Sequence, residues 1–132
     1  MASSTPTPGG GASTNLGLEP KIAGLLCYVP CCIGVVFSAV AAIVEKQSRF
    51  VRFHAFQSLL VHAAFIVVWI AIWGVQAALA VVGLGAVALL IHLVSWVFGL
   101  ALLALVIFMM IKANAGEEFE LPVVGPMAKG WA

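Results

Sequence analysis

Polar and apolar positions divide this chain into five blocks. Residues 1 to 21 are rich in Ser, Thr, Pro and Gly, with almost nothing to bury. Residues 22 to 44 carry no charge. A short block follows with Glu45, Lys46, Arg49 and Arg52. From Phe53 to Ile111 charge is again absent, and it returns with Lys112, Glu117, Glu118, Glu120 and Lys129. The first block predicts a disordered tail. About 20 apolar residues in helix cross a bilayer core, so 22–44 predicts one span. The run 53–111 holds two spans and a turn, and is too short for three with turns. Glycine supplies turn conformations, which places the turn at Gly83-Leu84-Gly85. The expected fold is an all-α membrane protein with three transmembrane helices, over about 22–44, 57–82 and 86–111. The last two form a tight hairpin. The transmembrane domain runs over 22–116, behind a disordered tail over 1–21 and before an interfacial segment over 117–132.

Local signals fit these elements. Pro30 lies inside the first run, where a kink is tolerated if neighbouring helices satisfy the backbone. Ser48 is a natural helix N-cap, and Gly116 suits a helix C-terminus. Lys112 can end the last span by snorkelling to the interface.

Composition agrees with a lipid solvent. Only 8% of the 132 residues are charged, against about 25% in soluble domains. The net charge of +1 leaves no field to draw nucleic acid. The tail has no cation before Lys21, which argues against a signal peptide. Short loops rich in Lys and Arg stay cytoplasmic. With three spans, Lys46, Arg49, Arg52, Lys112 and Lys129 share one side and Lys21 has the other. That count places the C-terminus in the cytoplasm and the N-terminus outside. The expected membrane is a bacterial cytoplasmic membrane.

Helical spacing sorts the spans into faces. Gly24, Cys27, Cys31, Gly34, Ser38 and Ala42 form a small-residue face suited to close helix packing. His54, Ser58, His62, Trp69, Trp73 and Gln76 share an arc of the second span, and His92, Ser95, Trp96 and Gly99 share one on the third. Polar groups within a span face other helices, so His62, Gln76 and His92 are candidate intramembrane polar contacts. With a turn at Leu84, Gln76 and His92 lie at one depth and are expected to hydrogen-bond. Polar glue between helices is the expected role of these groups, with a proton or ligand role as the alternative. The chain has no Asp, and no Glu lies at membrane depth to serve a catalytic triad. No H-x-x-x-H pair occurs, and Cys27, Cys31 and Cys32 lack C-x-x-C spacing and read as packing residues. No catalytic residue, metal or cofactor is expected, and the protein is not expected to be an enzyme.

The stretch SRFVRFHAFQSLL, residues 48 to 60, with KIAGLLCYVPCCIGVVFSAVAAIVEKQ before it and IKANAGEEFELPVVGPMAKGWA at the chain's end, resembles a family of small bacterial membrane proteins of unknown function. That family is related to the small Tic subunit of chloroplast protein import. The resemblance spans about residues 20 to 130. It marks Glu45, Arg49, Phe50, Arg52, Phe53, His54, Gln57, Gly116 and Pro122 as signature residues without assigning them roles. It implies a helical membrane protein with no catalytic residue to carry over. The expected function is a non-enzymatic structural or assembly component. The alternative is a channel or translocation-related subunit that works as an oligomer or with partners. The lipid bilayer is the expected environment, with a second copy or a membrane-protein partner left open.

Overall fold

The computed structural model describes residues 14–30 and 32–132. Most of the expected tail, and Cys31, lie outside these residues. Five helices follow in order: α1 (Pro20–Leu26), α2 (Cys32–Val44), α3 (Arg49–Val81), α4 (Gly85–Asn114) and α5 (Val124–Trp131). α3 and α4 are both long and apolar enough to cross a membrane.

The expected first span is not a continuous helix. Pro30 lacks a backbone N–H and disfavours helical conformation at Val29. α1 therefore ends at Leu26 in a turn closed by Tyr28 N–H to Leu25 O at 3.0 Å. The break frees the Cys27 carbonyl, and it accepts from the hydroxyls of Ser38 and Ser58. α2 then runs back over 13 residues, about 20 Å, short of the ~30 Å bilayer core. Gly34 permits the reversal, because a Cβ there would stand 2.1 Å from the Val29 carbonyl oxygen. Entry and exit of this segment meet. Asn15 N–H donates to Glu45 Oε2 at 2.8 Å, and Lys46 N–H donates to Asn15 Oδ1 at 2.7 Å. Residues 22–44 thus return the chain to the end it came from. Within the expected tail, Thr14 is buried and Asn15 is bonded.

The hairpin forms where the glycines place it. Gly83 has φ +83°, and Leu84 N–H reaches back to Leu79 O at 2.8 Å, closing a glycine cap on α3. α3 begins at Arg49, well before the expected 57, and Ser48 Oγ caps it by accepting from Val51 N–H at 3.3 Å. α4 ends in a second glycine cap at Gly116, φ +79°, with Glu117 N–H on Lys112 O at 3.0 Å.

The core is gathered at one end of the hairpin. Ala23, Cys27, Tyr28, Ala41, Phe50, Val51, Ala55, Met109, Ala113 and Leu121 form it. α1 packs on α3 and α4, while α2 and α5 pack on α3. Gly24 lets α1 approach, since a Cβ there would meet the Phe50 ring at 3.0 Å and the His54 ring at 3.3 Å. Every charged residue lies in the segments that meet at this end, and none lies in the stretch 53–111 that runs to the hairpin turn and back.

Candidate functional site

His54 sits in the second turn of α3, fully buried. Its ring is ringed by aromatic edges, with centroids of Phe50, Phe53 and Tyr28 at 4.5, 5.1 and 5.6 Å. Its Nε2 lies 3.1 Å from the Glu117 carbonyl oxygen. A carbonyl can only accept, so Nε2 carries the proton. Nδ1 is then an acceptor, and the Tyr28 hydroxyl donates to it at 3.2 Å. The Tyr28 oxygen in turn accepts from Gln57 Nε2 at 3.0 Å. Gln57 spends its second N–H on the Phe119 carbonyl at 3.0 Å, and its Oε1 accepts from Leu121 N–H at 3.1 Å. The network selects the neutral, Nε2-protonated histidine. It ties three distant pieces of chain together: the α1–α2 turn, α3, and the segment after α4.

A second polar knot lies beside it. Glu45 is fully buried, and its carboxylate accepts from the backbone N–H groups of Asn15, Gln47 and Ser48 at 2.8, 2.8 and 2.9 Å. Charge-assisted bonds of this kind hold the approach to α3. Arg52 lies one turn into α3. Its guanidinium donates to the Trp131 carbonyl at 3.3 Å and stands 5.8 Å from the Phe56 ring. This anchors the C-terminal end of α5.

The signature residues therefore converge. Glu45, Phe50, Phe53, His54 and Gln57 are buried around the two knots, and Gly116 supplies the turn that brings Glu117 to His54. Arg49 and Pro122 are exposed. Tyr28 and Asn15 complete the knots and carry no spacing signal. The one hint in the sequence is a tyrosine two residues before Pro30 within an otherwise apolar run.

The intramembrane candidates do not converge. His62 Nδ1 donates to the Ser58 carbonyl of its own helix at 2.8 Å. It lines a cavity of about 510 Å³ with Pro30, Cys32, Phe65 and Leu102. Gln76 and His92 do line one groove between α3 and α4, with Trp73, Ala77, Ala80, Ala88 and Leu89. The expected hydrogen bond between them is not made. His92 Nε2 accepts instead from Trp96 Nε1 at 3.0 Å, because a partner one turn away on the same helix is within constant reach. Gln76 Nε2 is left buried without an acceptor. Of the expected small face, Gly24, Cys27, Gly34 and Ser38 are buried, though on two helices. Trp73 and Trp96 are more than half exposed, not interior.

These features define a small all-helical membrane protein whose buried polar chemistry is spent on holding its chain segments together. Residues 19–128 match the magnetosome magnetite crystal formation protein family (MamF/MmsF), and the chain belongs to that family. A UPF0132 membrane protein of Methanocaldococcus jannaschii is 36% identical over 119 residues, covering 90% of this chain and 94% of the relative. A second from the same organism is 31% identical over 115 residues, covering 86% and 71%. One from Archaeoglobus fulgidus is 33% identical over 112 residues, covering 85% and 94%. These relatives are archaeal, so the likeness is not confined to bacteria. No solved structure matches.

Proposed function

We propose that this protein is a non-enzymatic membrane component that acts by its shape and by assembly with partners. One observation carries the reading: the buried polar side chains of the signature, Glu45, His54 and Gln57, are consumed by internal hydrogen bonds. A catalytic or ligand-binding constellation keeps a reactive group free; these hold chain segments. Among the described residues, no three His, Cys, Asp or Glu side chains cluster closely enough to hold a metal ion. The family description supports a role in a membrane where magnetite forms. Carried to this chain, that role is one of shaping the membrane or recruiting other components. α3 and α4 cross the bilayer as a hairpin, and α1–α2 enters and leaves from one side. The positive-inside rule then favours a cytoplasmic location for the charged end, with Asn15 and α5 there. Reconstitution tests the reading: vesicles holding the pure protein should pass no ions beyond empty ones, and mild-detergent extraction from native membranes should recover a stoichiometric partner.

A translocation-related subunit is the second reading, although the comparisons give no chloroplast-import relative. None of the matched proteins is described in those terms, and its support is Gln76. A buried amide N–H without an acceptor in lipid favours an arrangement in which a neighbouring helix supplies one. Ion flux that depends on Gln76 would put this reading first.

A further inference from the structure

Among the described residues, Lys112 and Lys129 are paired with Glu117 and Glu120. Lys21, Lys46, Arg49 and Arg52 form no ion pair. Glu45, next to Lys46, is turned inward onto backbone N–H groups. Glu19 and Glu118 are exposed and form none either. One end of the molecule thus carries a cluster of cations whose anionic partners are missing, at the start of α3.

We propose that this cluster binds the headgroup of an anionic phospholipid, with Arg49 and Arg52 taking the phosphate and Lys46 adding charge. Arg49 and Arg52 are three residues apart on one helix, which puts them on one face. Arg52 does not swing freely. The Trp131 carbonyl holds its terminal nitrogen at 3.3 Å, and its charge lies 5.8 Å from the Phe56 ring. Among the described residues its terminal nitrogens bond nothing beyond the Trp131 carbonyl, so the guanidinium keeps donor capacity that the protein does not use. A guanidinium fork matches phosphate oxygens two at a time. The apolar surroundings select a lipid over a free anion. Trp131 packs on Phe56 at 5.9 Å between ring centroids, and Val123, Met127 and Trp131 of the neighbouring α5 region are 75, 44 and 51% exposed. A phosphate at the arginines with acyl chains over these side chains satisfies both surfaces. Because the same guanidinium holds Trp131, binding also seats α5.

The test is a lipid titration of the full chain, purified in neutral detergent and read by native mass spectrometry. Phosphatidylglycerol should bind in preference to phosphatidylcholine. Arg49→Gln should weaken phosphatidylglycerol binding about fivefold, and Arg49→Gln with Arg52→Gln about 25-fold, at roughly one surface-cation increment each. Lys112→Gln should leave it within twofold. Arg52→Lys, which keeps the charge and loses the fork, should fall between wild type and Arg52→Gln. Arg49 is exposed, so Arg49→Gln carries the test alone if circular dichroism shows that variants at Arg52 lose helix. Equal binding of the two lipids by wild type would overturn the proposal. So would an undiminished preference in the variants, an equal loss in Lys112→Gln, or competition by inorganic phosphate alone at the lipid's own concentration.

Discussion

The two ends of the α3–α4 hairpin are made of the same helices and held by different physics. Near Arg49, α3 is wrapped by α1, α2 and α5, and Phe50, Val51, Phe53, His54, Ala55, Gln57 and Ser58 are all buried. Toward the turn, α4 alone among the described residues lies beside α3, and Val67, Ile70, Trp73, Val75 and Val81 face outward. The wrapped end is organised by saturated polar networks. The bare end depends on two helices touching in lipid, where dispersion and small residues replace the hydrophobic effect. A substitution should therefore be felt strongly at one end and faintly at the other.

The largest effect tests the wrapping itself. Cysteines placed at Glu19 and Lys129 should both react with a membrane-impermeant reagent from the same side, because Asn15 meets Glu45 and Arg52 meets Trp131. Labelling from opposite sides would restore a continuous first span and dissolve the comparison. Next in size is Gly34→Val. Its Cβ would lie 2.1 Å from the Val29 carbonyl oxygen, so the fold-back must open, at a cost of more than about 4 kcal/mol. Loss of the thermal transition in detergent is the readout. Gln57→Leu removes three hydrogen bonds and strands the Phe119 carbonyl and Leu121 N–H. It should cost about 2–4 kcal/mol and expose the segment after α4 to protease. A variant as protease-resistant as wild type would mean that packing of α5 alone holds that segment.

Substitutions at the bare end should do little. Gln76→Leu removes an amide N–H that has no acceptor, so stability should change by less than about 1 kcal/mol. Crosslinking in membranes then separates the readings: loss of a dimer band in this variant would mean that the bare end is covered by a second copy. The smallest effect is at Gly74, where an added Cβ meets nothing within 4 Å. Gly74→Ala should stabilise by up to about 1 kcal/mol, as helix propensity alone dictates. The contrast with Gly34 is the sharpest form of the comparison, since one residue type is indispensable at one end and a small liability at the other.

Much of the architecture was legible from pattern. The charge-free run 53–111, the turn at Gly83, the Ser48 cap and the Gly116 cap all follow from local rules. The signature residues were legible only as a list. Their convergence needed a segment after α4 to fold back onto α3, and sequence separation of more than 60 residues leaves no periodic trace. Pro30 is compatible with a kinked span because apolar content fits a crossing helix and a fold-back equally well. The difference lies in Gly34, Ser38 and Ser58, which accommodate the turn and satisfy its carbonyl.

The sequence by itself determined that lipid is the solvent, that the chain is helical, and where its two long helices turn. Those follow from composition and from interactions within a few residues of one another. Only the tertiary structure decided that residues 22–44 return to their starting end, that Tyr28, His54 and Gln57 form one network, and that Gln76 and His92 do not bond. Each of these depends on which of several available partners a polar group finds. In a medium without water that choice is made by helices meeting in space, not by spacing along the chain.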